Sequence, residues 1–185
     1  DLTITTAGVS EAKVSGGEFL SADKKLNQMK VDVISITPTI SGTTTDAIGD
    51  LLFDSIAIPN AVSVKGGSCI LHSITALSAD ENAPSIDLLF FQVTQDFGTA
   101  GTAISGTMTP AECDSAVMLG HVNLSDWTVL GNTDWHLGTK RNIGLALQAA
   151  SATRDIYVAG VVRTACVGAW GATTDLILKF GVTKD

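Results

Sequence analysis

Residues 59–93 read PNAVSVKGGSCILHSITALSADENAPSIDLLFFQV. Two apolar, β-rich runs, Cys69–Leu77 and Ile86–Val93, flank the polar segment Ser78–Ser85, which holds Asp80, Glu81, Asn82 and Pro84. Such runs joined by turn-forming residues signal a hairpin. The expectation is that they pair as the two central strands of an all-β domain. In the second run Ile86, Leu88 and Phe90 fall on one side, and Leu89, Phe91 and Val93 on the other, because successive strand side chains alternate. A sheet with one wet face alternates apolar and polar residues, and this run does not. Both of its faces are therefore covered, one by an opposing sheet and the other by a loop, an arm or a second subunit. The first run shares the trait more weakly, with Ile70, His72, Ile74 and Ala76 set against Cys69, Leu71, Ser73, Thr75 and Leu77.

Outward from this centre, strand signals recur. Val31–Thr37 is β-rich and is bordered by Pro38. Ala47–Ile58 suits a strand with a turn or bulge at Gly49–Asp50, with a helical turn as the alternative. Gln95–Ala116 is a long Gly/Thr/Ala connection in which Pro110–Asp114 suits one helical turn. Connections of that length mark a functional segment or a contact. Val117–Leu124 is another strand candidate, and Asp126–His136 is loop-like. Ile143, Leu145 and Leu147 alternate inward. The run before Cys166 is long and apolar, with Gly160 as a bulge or a close contact. In the last run Leu176, Leu178, Phe180 and Val182 face a core, while Asp175 and Lys179 face water. About eight strands without a strongly periodic helix predict an antiparallel β-sandwich or jelly roll over residues 31–185. Residues 1–30 carry few large apolar side chains and read as an extended N-terminal arm, either a loose terminus or a segment that orders against a neighbouring subunit.

The totals narrow the function classes. Of 185 residues, 45% are hydrophobic and only 16% charged, against about 25% charged in an average domain. Mean hydropathy is positive at +0.31, yet no apolar run reaches the roughly 20 residues of a membrane span. Low charge without a span implies further buried surface, hence an oligomer or a larger assembly. A net charge of −8 and a pI of 4.6 argue against nucleic-acid or anionic-membrane partners. Three cysteines, Cys69, Cys113 and Cys166, form no metal-ligand spacing and suit reduced, buried thiols made in a cytoplasm. No signal peptide is recognised, and the Asn123-Leu124-Ser125 sequon is read as chance.

No constellation points to catalysis. His72, His121 and His136 stand apart, in no metal-binding pattern. Cys69 and His72 are three residues apart, which places them on opposite faces of a strand, so a Cys–His nucleophile fails on geometry. Asp80, Glu81 and Asp87 bracket the turn as weak calcium candidates, lacking the dense ligand spacing of a dedicated loop. Gly66–Gly67 has no following Gly-Lys-Ser/Thr and is no phosphate loop. Aromatics at 5% are too few for a typical sugar cleft. Neither an enzyme nor a cofactor is expected. Trp127, Trp135 and Trp170 divide between core packing and a subunit interface, where Trp is enriched.

The order of elements resembles that of small virion structural proteins of tailed bacteriophages. The matching pieces are Gly49-Asp50, the run IAIPNAV over 56–62, Gly66-Gly67-Ser68, ILHSI over 70–74, the acidic Asp80 loop and DLLFF over 87–91. Ser125-Asp126-Trp127 and TDLIL over 174–178 extend the likeness. It covers residues 47–182 in outline and is best over 49–91. The arm departs from the short starts of that pattern, and Met29 offers a second start. The resemblance implies a non-enzymatic head decoration or cement protein on the capsid surface of the virion. Such proteins are β-rich, often trimeric, and clamp the major capsid protein. On that reading the interface residues are Phe19 and Leu20 of the arm, Phe91, Trp127 and Trp135, along with the Gln95–Met108 loop. The alternatives are a tail, baseplate or head-fibre module, or a carbohydrate-binding β-sandwich.

Overall fold

A computed structural model of the chain describes residues 30–42, 45–104, 108–131 and 135–185. The arm, with Phe19 and Leu20, lies outside the described residues. Among those described there are nine strands: β1 (Lys30–Ile36), β2 (Leu51–Ile58), β3 (Ser68–Ser78), β4 (Ile86–Phe91), β5 (Met118–Leu124), β6 (Trp127–Val129), β7 (His136–Gln148), β8 (Ile156–Val162) and β9 (Leu176–Lys184). One short helix, α1 (Pro110–Ser115), precedes β5. Thr109 caps it reciprocally with Glu112: Glu112 N donates to Thr109 Oγ1 at 3.3 Å, and Thr109 N donates to Glu112 Oε2 at 2.7 Å.

The strands form two antiparallel sheets, ordered β1-β9-β3-β7-β6 and β2-β8-β4-β5. If short β6 is set aside and the remaining eight are ranked by chain position, four hydrogen-bonded pairs sum to nine, first with last, second with seventh, third with sixth and fourth with fifth, and two more, third with eighth and fourth with seventh, join these into the two sheets. That is the wrapping of a jelly roll. The all-β sandwich expected from the sequence is therefore present, with one strand more than expected.

The hairpin expectation is corrected. β3 and β4 are both internal strands, but they lie in different sheets and do not pair. Residues 79–85 carry the chain across the sandwich rather than back along one sheet. Asn82, fully buried, ties that crossing to the far loop, its Oδ1 accepting from Val167 N at 2.9 Å and Gly168 N at 3.2 Å. Asp80 does the same, with Oδ2 accepting from Gly171 N at 2.8 Å and Oδ1 from Asn82 Nδ2 at 3.0 Å.

The alternation read along β3 is also corrected. Its register shifts between Leu71 and Ser73 against both β7 and β9. A bulge at His72 resets the parity, so Cys69, Leu71, Ile74 and Ala76 all point inward while His72 is exposed. The β9 alternation stands as expected, with Leu176, Leu178, Phe180 and Val182 buried. Between the sheets, Phe90 of β4 meets Phe180 of β9 edge-to-face, with ring centroids 6.0 Å apart.

β4 is apolar on both sides, as its sequence demands, and both covers come from the described chain. Ile86, Leu88 and Phe90 enter the inter-sheet core. On the other face Phe91 joins Leu51, Phe97, Ala116 and Ala159 in a second cluster, with Met108 and Cys113 packed against it. Phe97 lies 4.9 Å from Phe91, centroid to centroid. Residues 92–104 and 108–117 thus form a third layer outside the four-stranded sheet. Its anchor is polar: Phe97 N donates to Asp54 Oδ1 at 2.9 Å.

Candidate functional site

The residues expected to carry chemistry are placed apart. His72 and His121 are exposed on β3 and β5, in different sheets, and His136 Nδ1 lies 3.1 Å from the Asp80 carbonyl oxygen. Asp87 is held by Arg163, Nε to Oδ2 at 2.6 Å, and by Asn123 Nδ2 at 2.8 Å. Asp80 is committed to the crossing just described. Among the described residues no group of three His, Cys, Asp or Glu side chains is gathered where it could hold a metal ion. Burial pushes the Cys69 thiol up to about 11 and the Cys166 thiol up to about 12, so both stay protonated and poorly nucleophilic at neutral pH.

The sequence offered no signal for a buried polar cluster that unites Asp46, Cys166 and Trp170. Asp46 is fully buried. Its Oδ2 accepts from Trp170 Nε1 at 3.0 Å and lies 3.9 Å from Cys166 Sγ. Its backbone carbonyl accepts from Cys166 N at 3.0 Å, and its Oδ1 has no partner among the described residues. Burial raises the Asp46 carboxyl above its ordinary range; the Trp170 hydrogen bond pulls it partly back, and Asp50 adds to the rise. A group whose folded value is raised holds its proton more tightly in the folded chain. The stability it lends is fully present below the ordinary carboxylate value and is lost as pH rises through the folded value. Asp46→Asn, which keeps an acceptor for Trp170, is therefore expected to gain stability relative to wild type as pH rises from about 4 toward neutrality. Urea denaturation of both proteins across that range measures the trend; parallel curves would refute it.

The expected interface residues fall into three situations. Phe91 is fully buried, and this corrects its assignment to an interface: its cover is the chain's own Phe97 layer. Trp127 is half-buried at the sheet edge, with Nε1 donating to the Pro84 carbonyl at 2.8 Å. Its ring lies against Gly138, where a Cβ would come 3.0 Å from it. Trp135 stands open at 48% exposure.

Trp135 has apolar company. Val129 is 54% and Leu130 44% exposed, and Leu130 N donates to the Trp135 carbonyl at 2.8 Å, closing the β6–β7 connection. Two further apolar side chains, Val31 and Val33, project 70% exposed from edge strand β1. A shallow depression of about 450 Å³ lies at the other end of β7, lined by Ser68, Leu119, Ala146, Leu147 and Gln148. Ile48, Val64 and Val167 stand 67%, 60% and 77% exposed on loops, so open apolar side chains occur both on sheet edges and between strands.

No family model matches this chain, and no curated protein matches it. Among solved structures, the crystal structure of the infectious bursal disease virus VP2 subviral particle aligns with 97% of this chain at 12% identity and a TM-score of 0.23. The alignment covers 48% of that protein, so this chain spans about half its length. A likeness at that score carries no argument about role.

Proposed function

We propose that this chain is a non-enzymatic structural component of a virus particle, and specifically a head decoration protein of a tailed bacteriophage. On this reading it self-associates, as a trimer, and clamps the major capsid protein on the outer surface of the virion. The observation that carries the proposal is that large apolar side chains stand open at many places, on the edge strand β1, at Val129, Leu130 and Trp135, and on the loops at Ile48, Val64 and Val167, of a jelly roll whose acidic loop is committed internally. Edges and tips are the surfaces through which β-rich modules meet partners. The resemblance over residues 49–91 supports the phage setting; the fold alone serves lectins and cupins as readily as capsids. The mechanism is mechanical: apolar area removed from water, at about 25 cal/mol per Å², reinforces a shell at many repeated contacts.

The test is the copy number of the chain per purified particle, measured by quantitative mass spectrometry against the major capsid protein. A ratio near that of the capsid subunits is expected. A handful of copies would assign it to the tail, baseplate or head fibre, and absence from particles would end the proposal. A sugar-binding role has less support: Trp170 is buried and Trp127 is committed to Pro84, so the described residues offer no tryptophan-lined groove.

A further inference from the structure

The connection from β1 to β2 and the connection from β8 to β9 are bonded to each other. Ile40 N donates to the Thr173 carbonyl at 3.1 Å, Cys166 N to the Asp46 carbonyl at 3.0 Å and Gly49 N to the Val162 carbonyl at 2.8 Å. Ile40, Cys166 and Trp170 are buried there, while Ile48 and Val167 project into solvent from the same two connections. The side chain that joins them is Asp46, through its hydrogen bond from the Trp170 indole.

A carboxylate has acceptor sites on both oxygens, and burying it is costly unless they are filled. Other acidic side chains here are filled: Asp87 by Arg163 and Asn123, and Asp80 by Gly171 N and Asn82. Asp46 is not. Its Oδ2 has the Trp170 indole N–H and the weak thiol donor of Cys166, and its buried Oδ1 has no partner among the described residues. No ion pair reaches it among those residues. The titratable groups around it are acidic: Asp50 on its own connection, Cys166 and Asp175 on the far one, and Asp80 and Glu81 on the 79–85 crossing. Arg163, where the far connection begins, is engaged by Asp87. The site suits a neutral carboxyl and opposes a charged one, the same direction in which burial moves Asp46.

We propose that Asp46 is a proton-operated latch: protonated, it holds the 45–50 and 163–175 segments together, and deprotonated, it releases them while the two sheets stay folded. The inference stands apart from the role proposed above and does not depend on it. Opening lets water reach the carboxylate, and hydration stabilises the charge that burial opposes. Loss of the proton therefore favours the open form, and its return closes the contact. Connections outside the sheets open at lower cost than the core strands, so release does not require global unfolding. The open form exposes the Trp170 indole and the Cys166 thiol, and it frees Ile48 and Val167 from a fixed spacing.

The experiment is native-state hydrogen exchange, followed by NMR on the full chain from about pH 4 to neutrality, with and without low urea. Protection factors, which divide out the intrinsic pH dependence of exchange, are read at Cys166 N, Gly49 N and the Trp170 indole. The references are the Trp127 indole, bonded to the Pro84 carbonyl, and the β9 amides paired with β3. Latch protection is expected to fall as pH rises, by up to tenfold per pH unit, the limit for one linked proton. It should respond little to urea, because a local opening exposes little surface. The Trp127 indole should keep a constant protection, and the β9 amides should lose theirs steeply with urea. Asp46→Asn, which keeps an acceptor for Trp170 and takes no charge, is expected to abolish the pH dependence at the latch. Latch protection that ignores pH, an equal slope at the Trp127 indole, a slope that survives in Asp46→Asn, or latch protons that share the urea response of β9 overturns the inference. Should Asp46→Asn fail to fold, the wild-type slope and urea response decide it alone.

Discussion

Gly160→Ala is expected to destabilise the protein by about 3 kcal/mol, at the upper end of the usual cost of overpacking a core. Gly160 faces inward on β8, and the ring of Phe53 from β2 lies directly on its Cα. A Cβ there would overlap three atoms of that ring, all closer than real Cβ contacts come. Phe53 is itself fully buried, so the ring has nowhere to retreat. The glycine backbone does not occupy the left-handed region, so the requirement is for space alone. Alanine stiffens the unfolded chain and returns somewhat less than 1 kcal/mol, well below the overlap cost. For a chain of this length the loss lowers the melting temperature by about 6–12 °C. Phe53→Leu should recover part of it, since the two residues share one space and their effects are not additive. Equal losses in the presence and absence of Phe53 would show that the ring is not the obstacle.

Phe91→Ala is expected to cost about 3–5 kcal/mol, the range for emptying a fully buried aromatic site. Phe91 supports the third layer: without it Phe97 loses its ring partner, and the cover over Ala159 and Leu51 loosens. The contrast with Trp135→Ala separates core from surface. Trp135 is half exposed, so its truncation should change stability by no more than about 0.5 kcal/mol. Urea midpoints of the two variants, compared under the same conditions, measure this difference. A Phe91→Ala protein as stable as wild type would mean that the Phe97 layer is not packed on it.

Much of the fold was legible because strand alternation is a local property. The four inward residues of β9 stand two apart and need no knowledge of distant chain, and the double-sided apolarity of β4 correctly required a second cover. What failed was non-local. Turn-forming residues at 78–85 announce that the chain changes direction, but not whether it returns in the same sheet or crosses to the other. The β3 parity failed at His72 because a bulge depends on the partner strands, and those partners lie more than 60 residues away in sequence.

The candidate site was legible only at Trp135. Three tryptophans share a residue type and a loop-like setting, yet one is buried, one half-buried and one open. What distinguishes them is the acceptor each finds. Trp170 meets a buried carboxylate 124 residues away, and Trp127 a carbonyl 43 residues away. No spacing in the sequence encodes either distance. The same holds for the depression, whose walls come from β3, β5 and β7.

The place of β9 carries a consequence for how the molecule comes to exist. The strand nearest the carboxyl end sits between β1 and β3, and Lys184 reaches Asp32 in β1 at 2.6 Å. During synthesis β1 emerges before the other described strands and has its hydrogen-bonding neighbour supplied last of them, with residues 37–175 in between. Until then the nascent sheet exposes two unsatisfied edges, so the domain completes its fold only after β9 has been made, and slowly, as expected where pairing is between distant parts of the chain.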